Sequence, residues 1–269
     1  MDRMQKTRPF LKWAGNKFRI LPPIQTHLPD GHRLVEPFAG SGAIFLNTDY
    51  DKYWLNDVNP DLINLFRILK KHQAAFITHC ESWFTKRNNQ EKAYYRLRER
   101  FNTETDPIDR AALFVYLNRH GYNGLCRYNL SGIFNVPFGR YKEPAVPREN
   151  MLAFAKKLKS AKLTCWSYEK VFAQCARGDV LYCDPPYAPL SPSSNFTQYH
   201  SKGFNLADQE ALASLAEKAR VPVLISNHDL ALTRKLYQEA QLVKFKVPRS
   251  INCKGHGRQA VRELLAVFD

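Results

Sequence analysis

The 269-residue chain is 44% hydrophobic and sets 40 Lys and Arg against 25 Asp and Glu, a formal charge of +15. That composition excludes a disordered chain and suits one large domain, or a domain carrying an insertion; the charge points to a polyanionic partner, nucleic acid ahead of an anionic membrane surface. No apolar stretch approaches the roughly 20 residues that cross a bilayer, and the polar start Met1 to Arg8 is not followed by a signal-like apolar region, so a soluble, unexported, cytoplasmic protein is expected.

In chain order, Arg33 to Phe38 reads as a short buried strand, Gly40-Ser41-Gly42 as a turn, and Ala43 to Thr48 as the start of a helix. Tyr53 to Asn56 forms a second strand with Asp57 at its carboxyl end. Asn59-Pro60 then supplies an N-cap and a first-turn proline, and Leu62, Phe66 and Leu69 line one face of the next helix. This βαβα opening predicts a parallel sheet whose ligand lies beyond the carboxyl ends of the strands. From about residue 61 to 147 the pattern changes to polar helices, one capped by Asp106-Pro107 and carrying Leu113, Phe114 and Leu117. A Gly-, Asn- and Tyr-rich stretch follows, in which 125–128 and 133–137 flank the turn Asn129-Leu130-Ser131-Gly132 as a hairpin. Alternation then resumes: helix 149–159, strands 163–166 and 180–183, helix 206–219, strand 223–226, helix 229–240, and strands 242–247 and 262–268, whose polar connection allows antiparallel pairing. The chain therefore divides into an α/β domain, residues 1–60 and 148–269, interrupted by an insertion over 61–147.

The six cysteines, at 80, 126, 165, 175, 183 and 253, form no Cys-x-x-Cys pair, and several sit in apolar runs where a free thiol behaves as a small hydrophobe. A reduced cytosol fits them, and no His/Cys cluster has zinc-ligand spacing, so no metal is expected.

Asp184-Pro185-Pro186-Tyr187 follows the apolar run 180–183, so a buried strand ends by projecting a carboxylate, a rigid turn and an aromatic ring. The two prolines fix φ and carry no N–H, leaving the Pro185 carbonyl beside Asp184 as a second acceptor for one exocyclic amino group, with Tyr187 as a stacking face. The same residues also suit a capping Asp and a strand-ending proline pair. Upstream, Gly40 and Gly42 lie between a strand and a helix, where backbone approaches a ligand closely, but Phe45 occupies the place of a third glycine, against a dinucleotide pyrophosphate site. Asp57 is placed to accept from ribose hydroxyls; a tight structural turn with an exposed Asp fits these positions as well. Between Asp109 and Glu143 there is no acidic residue, while Arg110, Arg119, Arg127, Arg140 and Lys142 are interleaved with Tyr, Asn and Phe, a pattern suited to phosphate binding and base readout.

Four segments together resemble the motif set of S-adenosylmethionine-dependent DNA adenine-N6 methyltransferases: Phe10 to Lys17, the Pro37 to Gly42 turn, Asp57, and Asp184 to Tyr187. Their order is that of the α group, and Tyr116 to Asn129 with Phe134 to Tyr141 is similar to the recognition hairpin of the Dam family. The resemblance implies a Rossmann-like α/β methyltransferase sheet of seven mostly parallel strands, with an inserted helical and β-hairpin target-recognition domain. It implies S-adenosyl-L-methionine as cofactor, contacted by Trp13, Lys17, Phe38, Gly40, Gly42, Asp57, Ser167, Tyr168 and Asp184, with Asp184, Pro185 and Tyr187 catalytic. Asn16 stands where the family usually has glycine; Asn tolerates left-handed backbone angles, so little disturbance is expected. The implied partner is double-stranded DNA. Lys12, Leu125, Arg127 and Pro137 would read the bases of GATC, and Tyr122 would insert near the vacated adenine. Asn123, Asn129, Asn135, Arg140 and Tyr141 would hold the duplex. A monomer is the simplest state, and the Ser- and Pro-rich segment Ala188 to Phe204 is expected to order over the adenine as a lid. An RNA adenine-N6 methyltransferase, or a DNA-binding regulator without turnover, are the alternatives.

Overall fold

The computed structural model describes residues 6–187, 204–247 and 261–269; the expected lid falls almost wholly outside them. Seven strands form one sheet: β1 (Arg33–Glu36), β2 (Lys52–Asn56), β3 (Ala161–Thr164), β4 (Asp179–Cys183), β5 (Val223–His228), β6 (Gln241–Val247) and β7 (Val261–Phe268). Their order is β3-β2-β1-β4-β5-β7-β6, with β7 antiparallel to both β5 and β6. The expected fold class is therefore present: α/β, with a mostly parallel sheet.

The central strands read as apolar runs because both faces are covered, and the pleat sorts alternate residues between two cores. Leu34, Tyr53, Leu55, Val180, Tyr182, Leu224 and Leu265 face one; Val35, Trp54, Leu181, Cys183, Val223, Ile225 and Leu264 face the other. The first core is filled by α1 (Leu21–His27), α2 (Ala43–Leu46), α3 (Pro60–Glu81), α4 (Glu91–Thr103), α5 (Pro107–His120) and α6 (Arg148–Lys157). The second takes α7 (Tyr168–Phe172) and α8 (Leu206–Glu217), while α9 (Ala231–Leu236) follows β5. The caps predicted at Asn59 and Asp106 form: each side chain accepts two backbone N–H bonds, worth about 1 kcal/mol to the helix it starts. α3 packs along α5 but also against α6 and β3, so the segment that opens the 61–147 stretch shares the main core with the sheet.

Several expected elements have different limits. The strand expected to reach Phe38 stops at Glu36, where its register with β2 ends at Leu55; Ala39 N–H then reaches Asn56 O, at the end of β2, from within the turn. The helix expected over 229–240 is confined to Ala231–Leu236; Asp229 binds Arg234 and Tyr237 turns inward against Asn227. The hairpin is looser than a ladder, held by isolated bridges Tyr128–Phe134 and Gly121–Phe138, with Asn129 Oδ1 accepting from Ser131 and Ile133 N–H to form the turn. Asn16 is not left-handed: at φ −52° it caps a short 3-10 turn, accepting from Phe18 N–H and donating to Ser41 Oγ, and Gly15 takes the positive φ.

Candidate active site

Strand order reverses between β1 and β4, and in such sheets the crevice opens at the carboxyl ends of the strands that flank the switch. The Pro37–Gly42 turn leaves β1 there and Asp184 leaves β4. One oxygen of Asp184, Oδ1, receives both Lys17 Nζ at 2.8 Å and Ser226 Oγ at 2.9 Å, and Ser226 is itself 3.0 Å from the Tyr182 hydroxyl. Among the described residues nothing bonds Oδ2 or the Pro185 carbonyl, whereas the Pro186 carbonyl accepts from Gln209 Nε2 at 2.7 Å. Burial raises the Asp184 carboxyl above its ordinary range, opposed by Lys17 and Ser226. Lys17 Nζ also sits 4.4 Å from the centre of the Tyr187 ring, whose hydroxyl donates to Glu263 Oε2 at 3.1 Å. Cation, carboxylate and ring thus form one unit.

On the β1–β2 side, Gly40 and Gly42 adopt positive φ, +48° and +68°. A Cβ on Gly40 would lie 2.9 Å from Trp13 Nε1, and one on Gly42 would lie 2.7 Å from Phe154. Both glycines are needed for close approach. Asp57 orients the turn by accepting Gly40 N–H at 3.0 Å through Oδ2 and Asn59 N–H at 2.9 Å through Oδ1. Phe38 stacks on Tyr168 at 5.5 Å, and Ser167 caps α7 by accepting Lys170 N–H. Glu36, buried at the end of β1, has its carboxyl pushed up to about 8 by burial, and among the described residues its Oε1 has no hydrogen-bond partner.

The Phe10–Lys17 segment ties this crevice to the hairpin. Lys12 N–H bonds Asn118 Oδ1 at 2.9 Å, and Asn118 Nδ2 returns bonds to the carbonyls of Lys12 and Gly124. Lys12 Nζ lies 3.7 Å from the Tyr141 ring centre, and burial together with Arg119 lowers its pKa to about 8. Tyr122, Asn123, Arg127, Asn129, Pro137 and Arg140 are exposed, whereas Leu125, Asn135 and Tyr141 are half-buried. Arg127 Nε donates to Asn135 Oδ1 at 2.8 Å, fixing the guanidinium plane. Arg110, counted among the basic residues of this stretch, is instead committed to Asp61 through Nε and Nη2, at 2.5 and 3.2 Å, because both groups are drawn from water at the α3–α5 contact.

The family model of D12 class N6 adenine-specific DNA methyltransferases matches residues 13–251. The chain belongs to that family. The DNA adenine methylase of Serratia marcescens is 53% identical over 98% of this chain and 100% of its own length. That of Escherichia coli K12 is 51% identical, covering 98% and 96%, and that of Vibrio cholerae El Tor is 50% identical, covering 98% and 97%. The chain is therefore a DNA-modifying enzyme of the D12 class, and the alternatives of an RNA methyltransferase or a regulator without turnover find no support in these relatives.

Within this D12 enzyme the crevice gathers Trp13, Lys17, Gly40, Asp57, Asp184 and Tyr187 at one end of the sheet, with Phe38 and Tyr168 paired beside it; the expected DNA residues lie along the hairpin and at Lys12. Two residues in direct contact with the crevice were missed. Ser226 follows the apolar start of β5, and the pairing Cys183–Ile225 places it beside Asp184. Glu263 follows Arg262 ahead of the apolar run 264–268, and only its pairing with His228 of β5 brings it to the crevice. No group of three His, Cys, Asp or Glu side chains capable of holding a metal occurs among the described residues, where the five cysteines are free thiols and no helix is long and apolar enough to cross a membrane.

Proposed function

We propose that the chain transfers a methyl group from S-adenosyl-L-methionine to N6 of an adenine extruded from duplex DNA at GATC. The observation that carries this reading is the division of labour at Asp184: Lys17 and Ser226 occupy Oδ1, leaving Oδ2 and the Pro185 carbonyl as two acceptors for one amino group. An adenine amino group has two N–H donors and a lone pair delocalised into the ring. Donation to both acceptors favours a pyramidal nitrogen and exposes that lone pair, and the base must leave the helix stack to present it. The Tyr187 ring offers the stacking face. Positive charge developing on the nitrogen is stabilised by the Asp184 carboxylate beside it.

The crevice fits the cofactor. The donor supplies an electrophilic methyl on a sulfonium; Gly40 and Gly42 admit it to the backbone, Trp13, Phe38 and Tyr168 offer apolar faces, and Asp57 is an acceptor for ribose hydroxyls. Lys17, Ser167 and Asp184 complete the set. Residues 61–147 act as the recognition domain, Lys12, Leu125, Arg127 and Pro137 reading bases, Tyr122 entering the stack, and Asn123, Asn129, Asn135, Arg140 and Tyr141 holding the duplex. The enzyme works as a monomer in the cytoplasm. The test is transfer of labelled methyl from S-adenosyl-L-methionine to a GATC duplex, a permuted duplex and a hairpin RNA. The reading expects label on adenine N6 of the first alone, and label confined to RNA or to another atom would refute it.

A further inference from the structure

Glu263 belongs to β7, a strand that supplies none of the motif residues above. Its pairing with His228 brings it to the carboxyl end of β5, next to the crevice. The Tyr187 ring is then held on three sides: Glu263 Oε2 accepts from its hydroxyl at 3.1 Å, His228 packs edge-on with centres 4.7 Å apart, and Lys17 Nζ stands 4.4 Å from its centre. Stacking itself needs only the ring's face, which a phenylalanine would supply equally. The hydroxyl does something else: bonded to a half-buried carboxylate on a sheet strand, it fixes the tilt of the ring about its side-chain torsions, which would otherwise be broad.

Resting on the adenine-N6 reading above, we propose that Glu263 is a positioning residue for methyl transfer, acting through the Tyr187 hydroxyl to set the plane on which the extruded base stacks. Asp184 and the Pro185 carbonyl grip the amino group at the edge of that base, so a tilt of the stacking plane swings the nitrogen out of line with the incoming methyl. Reaction geometry, more than binding, depends on Glu263. A neutral acceptor of the same shape can do the same work.

The experiment compares single-turnover methyl transfer to a GATC duplex for the wild type, Glu263→Ala, Glu263→Gln, Tyr187→Phe and the Tyr187→Phe/Glu263→Ala double variant, with dissociation constants for duplex and S-adenosyl-L-methionine measured alongside. Glu263→Ala and Tyr187→Phe each slow transfer roughly tenfold while both dissociation constants stay within about twofold, and the double variant is no slower than the slower single one. Glu263→Gln, whose amide oxygen still accepts from the hydroxyl, transfers within about twofold of wild type. Losses that multiply in the double variant, a Glu263→Gln as slow as Glu263→Ala, or a wild-type rate in Tyr187→Phe would each overturn the proposal; the last two remain decisive if Glu263→Ala fails to fold. If the wild type methylates no duplex, the adenine-N6 reading itself falls, whereas a normal wild type with an unaffected Glu263→Ala removes this inference alone.

Discussion

At Asp184 the two carboxylate oxygens have different surroundings because Lys17 and Ser226 converge on only one of them. This pairing also shows what is legible in a sequence. Asp184 to Tyr187 announce themselves because rigid prolines, an acid and a ring are neighbours in the chain. Ser226 and Glu263 meet them only through strand register, which no local pattern contains. Glu36 gives the sharpest residue-level prediction. Burial holds its carboxyl up to about 8 against 4.5 in an unperturbed chain, so the folded state keeps a proton that the unfolded chain releases. Its contribution to stability is complete below pH 4.5 and is lost as pH climbs through about 8. Glu36→Gln keeps the acceptor without the titration, and thermal melts should find it level with wild type at pH 5 but higher by roughly 3 °C or more at pH 9. A constant difference across that range would show that the carboxyl titrates normally in the fold.

Among the elements, the hairpin is held less by its own ladder than by what lies behind it. Tyr128 donates to Asp61 Oδ2 at 2.6 Å, and Arg110 clamps the same carboxylate, so α3 and α5 anchor the hairpin through one buried charge. Tyr128→Phe should cost about 1–2 kcal/mol of unfolding free energy, with faster amide exchange in residues 125–137 than elsewhere. Gly124 is the second anchor: at φ +61°, a Cβ there would sit 2.2 Å from Lys12 Cβ. Gly124→Ala is expected to displace Lys12 and weaken duplex binding about tenfold or more while leaving S-adenosyl-L-methionine binding unchanged in titration calorimetry. The strands and the caps at Asn59 and Asp106 were readable because apolar runs and Asx-Pro pairs are local signals. The short α9 and the bridge-only hairpin were not, since their limits are set by tertiary partners such as Asn227 for Tyr237 and Asp61 for Tyr128.

Across the whole molecule, the Phe10–Lys17 segment joins the hairpin, the Pro37–Gly42 turn and Asp184: Lys12 meets Gly124, Trp13 meets Gly40, and Lys17 meets Asp184. That convergence was visible beforehand only as a resemblance, because nothing in the spacing of residues 10–17 states where each side chain lands. The +15 charge makes duplex binding salt-sensitive, but it does not distinguish one sequence from another. In the proposed reading specificity rests on groups such as Arg127, whose guanidinium is held by Asn135. Arg127→Ala should bring methylation of GATC and single-base variants within about tenfold of each other while the salt slope of binding changes little; an equal loss on all sequences would make it a phosphate contact. The role of Asp184 in methyl transfer is tested most directly by product analysis with Asp184→Ala, using methyl-labelled S-adenosyl-L-methionine and complete digestion of a GATC duplex. The wild type should place label on adenine N6 and the variant none, although the variant still folds and binds duplex; a wild-type yield of N6-methyladenine from Asp184→Ala would rule out methyl transfer through this carboxylate.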